Sequence, residues 1–193
     1  MNTRISLICH ATTKGLRTAT FGGDDALDEA GKTKAQRLAG NIGRVDRCWT
    51  SPALRARETA AALGITASTD ERLRDCDFGR WTGLRFAQVL VREPRKLVSW
   101  IREPGTSPHG GESLPQLLQR VSAWIDERAR DPGHTVAITH AAVIRAAIVH
   151  VILAELPSFW RIDVLPLSRT ELRTNGRRWV LRSIGPMVQD GPD

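Results

Sequence analysis

The strongest constraint on the fold is an alternation along the chain. Short apolar runs of strand length take turns with longer stretches whose apolar residues recur at helical spacing. Arg4 to Cys9 reads as a strand, and Asp28 to Gly43 as a helix with Ala30, Ala35, Leu38, Ala39 and Ile42 on one side and Gly43 as its stop. Arg47 to Thr50 is a second strand. Ser51 and Pro52 then suit the cap and first turn of a helix that runs to Leu63 and stops at Gly64. Further on, Leu114, Leu117, Leu118, Val121, Trp124 and Ile125 form a helical stripe, Thr135 to Thr139 a strand, and Ala141 to Leu153 a largely buried helix. Asn175-Gly176 between Arg169–Thr174 and Arg177–Ser183 is a strong hairpin signal. The pattern predicts an α/β protein, a three-layer α/β/α sandwich with a mostly parallel central sheet and the C-terminal hairpin at one edge. Residues 1–184 are expected to form one domain, with an irregular insertion over 80–112 above the site and a loose tail over 185–193.

Composition narrows the function classes. The chain has 193 residues, 41% of them hydrophobic, which suits a packed core. Its +7 net charge comes from arginine, 24 against 4 lysines, scattered among acids. No basic block or interleaved aromatics suggest a nucleic-acid partner. The Ala141–Leu153 stretch is too short to span a bilayer and is interrupted by Arg145 and His150, so no membrane partner is expected. Cys9, Cys48 and Cys76 lack paired spacing, which argues against a disulfide framework and a zinc site and for a reducing, cytoplasmic setting. No metal or other cofactor is expected, and a homodimer is left open. His109, His134 and His150 read as packing or surface residues.

Open α/β sheets bind ligands beyond the carboxyl ends of their strands. Two predicted strands end in histidine, at His10 and His140, and a third leads into a helix carrying Arg55. If the three are parallel neighbours, two imidazoles, a guanidinium and helix N–H groups converge, as a phosphate site requires. A neutral imidazole can attack phosphorus and split one difficult transfer into two easier ones. The leaving alkoxide then needs a proton, and Asp75 is the best placed acid, with Asp77 a nearby competitor.

The segment Ser51-Pro52-Ala53-Leu54-Arg55-Ala56-Arg57-Glu58-Thr59-Ala60, the Leu73–Gly83 block, the His109-Gly110-Gly111-Glu112-Ser113 turn and Val136–Arg145 follow one another in an order that resembles the histidine phosphatase superfamily, also called phosphoglycerate-mutase-like. The resemblance implies a three-layer α/β fold, His10 as nucleophile, and Arg55 and His140 on the phosphate. It implies a metal-independent phosphomonoesterase acting on a small phosphorylated metabolite through a phospho-histidine. Two alternatives stand beside it: a mutase that returns the phosphoryl group to the substrate, and a non-catalytic binder of a phosphorylated ligand. Asp75 stands where the family usually has glutamate, and Glu112 is a candidate for the site's edge.

The chain departs from the pattern at Cys9-His10-Ala11, where the family has Arg-His-Gly. Cysteine has no fork of N–H donors, so half the usual guanidinium clamp is absent. Arg17, seven residues past His10, is expected to reach in as the second phosphate ligand. Arg145 is expected to be a structural anchor, and Cys9 an oxidisable thiol beside the site.

Overall fold

The computed structural model describes residues 2–187. Strands β1 (Thr3–Cys9), β2 (Arg47–Thr50), β3 (Ser68–Thr69), β4 (Gly133–Thr139), β5 (Ser168–Thr174) and β6 (Trp179–Pro186) form one sheet in the order β3-β2-β4-β1-β5-β6. β1 to β4 run parallel, and β5 and β6 close the edge antiparallel. Ile5, Leu7 and Cys9 face one way, onto α6 (Leu114–Glu127) and α7 (Ala141–Val151). A single turn, α1 (Lys14–Arg17), follows β1, and Ile8, Val136 and Ile138 face the other way, onto α2 (Glu29–Arg37) and α3 (Leu54–Ala62). The period of two along each strand thus builds a core on both faces, as a buried parallel sheet requires.

Local chemistry sets the element ends. Ser113 and Gln116 form a reciprocal capping box at the start of α6. The helix expected over 28–43 is capped by Asp28 but stops at Arg37, because Gly40 and Gly43 take φ of +86° and +70°. Leu38 and Ile42 stay buried from the turns that follow. The helix expected from Ser51 begins only at Leu54, and its first N–H donates to the Asp24 carboxylate at 2.6 Å, so the cap comes from another loop. The hairpin loop is four residues, 175–178, longer than the Asn-Gly pair alone. Gly185 and Pro186, expected in the tail, belong to β6, and residues 188–193 lie outside the described region.

The irregular segment carries α4 (Phe86–Arg92) and α5 (Pro94–Arg102). It has a core of its own, in which Phe21, Trp81, Val89, Leu97 and Trp100 pack together. His109 is 1% exposed and lies 5.1 Å, centroid to centroid, from the ring of Trp81. No helix among the described residues is long and apolar enough to cross a membrane.

Candidate active site

The strand order puts β2, β4 and β1 side by side, so their carboxyl ends open at one edge. His10 follows β1, and its N–H bonds to the Thr139 carbonyl at the end of β4. His140 follows β4, and Ser51 follows β2. The His10 and His140 rings meet edge to face with centroids 5.1 Å apart. Arg55, on the first turn of α3, and Asp75, past a short 3₁₀ turn over Glu71–Leu73, complete the group. The structure therefore brings together four of the five residues expected from sequence.

The hydrogen bonds fix the state of the His10 ring. Its Nδ1 lies 2.7 Å from the Ala11 carbonyl, which only accepts, so Nδ1 carries the proton. Nε2 is left with its lone pair and accepts from Arg55 Nε at 3.2 Å. Burial and the Arg55 charge push the His10 pKa down to about 4, so the ring is neutral at ordinary pH. His140 is buried, its Nε2 is 2.7 Å from the Ser51 hydroxyl, and its Nδ1 faces Asp75 at 3.6 Å. Burial pushes its pKa down to about 3.

Asp75 Oδ2 accepts from Arg55 Nη2 at 2.8 Å, and its Oδ1 accepts the Cys76 N–H. Burial pushes the Asp75 carboxyl up, but His140 and the Arg55 guanidinium outweigh it and hold the group below its ordinary value. Asp77, the competitor, spends one oxygen on the Gly79 N–H and stands farther out. Asp75 is thus the carboxyl that faces His140 and holds Arg55.

A cavity of about 60 Å³ lies against His10, bounded by Thr13, Leu16, Thr20, Gly22, Asp25, Arg55 and Asp75. It has room for about two waters, a phosphoryl-sized space. It shares Gly22, Arg55 and Asp75 with an outer cavity of about 410 Å³ that adds Arg74, Asp77 and Phe78. Arg55 is the only cation on the inner wall among the described residues.

Arg17 is not brought to this wall. Its side chain is 58% exposed and its Nε donates to Asp28 Oδ2 at 2.6 Å, so the carboxylate that caps α2 draws it away. Cys9 is also placed differently from expectation. It is 3% exposed within the main core, and burial pushes its thiol up to about 12, which leaves no reactive thiolate. Arg145 is an anchor: its Nε donates to the Ile162 carbonyl at 2.8 Å.

Glu112 does not line the cavity. It holds Arg120 with two bonds of 2.9 and 2.8 Å, and Arg120 in turn donates to the carbonyls of Arg72, Arg74 and Asp75. This buried pair therefore braces the segment that carries Asp75. Sequence reading missed Arg120, because nothing along the chain links it to residues 72–75. It also took Ser51 for a helix cap, when the side chain is buried against His140, and it overlooked Asp25 on the inner wall.

Comparison with known proteins agrees with this geometry. The family profile described as "Histidine phosphatase superfamily (branch 1)" matches residues 5–185. "Phosphoserine phosphatase 1" of Hydrogenobacter thermophilus is 28% identical, over 92% of this chain and 90% of its own length. A bifunctional protein of Mycobacterium tuberculosis is 29% identical over 90% of this chain, which spans only 51% of that protein. A mycobacterial glucosyl-3-phosphoglycerate phosphatase solved with VO3 superposes with a TM-score of 0.82 at 26% identity, covering 93% of this chain and 96% of that one.

Proposed function

Because the chain belongs to the histidine phosphatase superfamily, we propose that it is a metal-independent phosphomonoesterase of a small phosphorylated metabolite, with His10 as nucleophile. The observation that carries the reading is the neutral His10 ring, its free Nε2 lone pair held by the Arg55 guanidinium at the wall of a phosphoryl-sized cavity. The names of the relatives, phosphatases of phosphoserine and of glucosyl-3-phosphoglycerate, support the substrate class.

An incoming phosphate monoester takes the Arg55 N–H groups from His10 and Asp75. Its negative charge raises the pKa of the neighbouring carboxyl and of His140, so Asp75 binds a proton and His140 becomes a donor to a phosphoryl oxygen. His10 Nε2 forms the N–P bond as the P–O bond to the alcohol breaks, and Asp75 passes its proton to the departing alkoxide. The phospho-imidazolium keeps its Nδ1 proton on the Ala11 carbonyl. Water then attacks phosphorus, Asp75 takes the water's proton, the N–P bond breaks, and orthophosphate leaves with His10 restored.

The decisive experiment is phosphate release across a panel of phosphorylated metabolites by the wild type and His10→Ala. Release by the wild type and background release by the variant are expected. Turnover retained in the variant would falsify the nucleophile assignment.

One observation favours a second reading, a non-catalytic phosphate binder. Among the described residues the inner wall has one guanidinium beside two carboxyl groups, Asp25 and Asp75. Vanadate binding by the wild type without hydrolysis of any ester in the panel would establish that reading instead.

A further inference from the structure

The opposite end of β1 carries a second concentration of charge. The register of β1 with β5 sets Arg4 directly across from Arg173. Like charges directly opposite each other destabilise a sheet. The one carboxylate between them, Glu171, is 5% exposed and is shared three ways. Its Oε2 meets Arg4 Nη2 at 3.0 Å, and its Oε1 meets Arg173 Nε at 2.8 Å and Arg182 Nε at 3.5 Å. Burial pulls the Arg4 guanidinium below its ordinary value, and the neighbouring arginines add to this against the pull of Glu171.

A cavity of about 670 Å³ opens beside this cluster, between the start of β1, the start of β4 and the hairpin tip. Arg4, Arg173, Arg178 and Asn175 line it. Its one carboxylate among the described residues, Asp46, accepts the His134 N–H at 2.8 Å. Arg4 Nε is buried with no hydrogen-bond partner, and Arg178 has no ion pair among the described residues. The cavity is of small-ligand size, and its donors are the planar forks that suit phosphate groups. It lies roughly 20 Å from His10 along β1, at about 3.3 Å per residue.

We propose that this cavity binds a small polyanion with two or more linked phosphate groups, held by Arg4, Arg173 and Arg178, separately from the catalytic cavity. Arg4 and Arg173 already divide Glu171 with Arg182, and Arg178 adds a further guanidinium to the wall, so the cavity carries positive charge that such an anion would neutralise.

Inorganic pyrophosphate is the probe. Its equilibrium binding is measured by calorimetry at moderate salt on four proteins: the wild type, Arg178→Gln, the double variant Arg173→Gln/Arg178→Gln, and Arg55→Gln. The expected result is affinity reduced about tenfold or more in the double variant and by a smaller factor in Arg178→Gln, with binding in Arg55→Gln unchanged. Arg178 is exposed at the hairpin tip, so its single variant reads binding with folding intact. Hydrolysis of the best ester should be within about twofold of wild type in both hairpin variants. Binding lost in Arg55→Gln and kept in the double variant would place the anion in the catalytic cavity and overturn the proposal. So would no binding by the wild type, or preference for a 20-nucleotide single strand over pyrophosphate.

Discussion

The two ends of β1 invert what the chemistry alone would suggest. At its carboxyl end, where the phosphoryl group is proposed to sit, one guanidinium faces two neutral imidazoles and two carboxyl groups. At its amino end three arginines line one cavity. A positive field near a site comes from where arginines stand in the folded sheet, not from how many the chain has. The proposed catalytic end relies on the preorganisation of a few groups, whereas the other end gathers charge.

The largest effect is expected at the carboxyl end of β1, on removal of the proposed acid. Asp75→Asn should lower turnover of an ester with a poor leaving group by about 10²–10⁴-fold. The pH dependence sharpens this. His10 must be neutral, a condition its pKa of about 4 meets at every higher pH. Asp75 must be protonated, and its pKa in the free protein lies below its ordinary value. Above pH of about 4 the reactive fraction should therefore fall about tenfold per unit, a slope that Asp75→Asn removes. A rise in kcat/KM between pH 5 and 8 would exclude Asp75 as the acid.

Next in size is the brace behind Asp75. Arg120→Met leaves Glu112 buried and loses one of its partners, which should cost about 3–5 kcal/mol of stability in urea denaturation. An unchanged midpoint would mean that the pair does not hold the segment. Arg55→Gln removes the guanidinium of the inner wall and should lower kcat/KM about 10²–10³-fold, measured with an aryl phosphate. Smallest is Arg17→Ala, expected within about twofold in kcat/KM because an exposed ion pair is worth little. A hundredfold loss would show that Arg17 leaves Asp28 for the ligand.

How much of this was legible in the sequence depended on how local each signal is. His10, Arg55 and His140 were readable because each sits at the end of a strand or start of a helix, and the strand order alone brings them together. Asp75 was readable from its motif. Arg17 was misplaced because its partner, Asp28, is fixed by the cap of α2 and not by anything beside Arg17 in the chain. Ser-Pro is a good helix cap, yet the helix starts at Leu54 and the Asp24 carboxylate takes its first N–H, while the Ser51 hydroxyl accepts the Ala53 N–H and bonds His140. The arginine cluster had no local signature at all. Arg4 and Arg173 become neighbours only once β5 is laid antiparallel on β1.

The main-chain oxygen of residue 11 has a last consequence. It keeps the proton on Nδ1 of His10 and so leaves the in-plane lone pair on Nε2, yet it belongs to no side chain. Ala11 makes this contact through its backbone, so a change of side chain at that position leaves the tautomer of His10 intact. The informative perturbation there is one that turns the peptide plane.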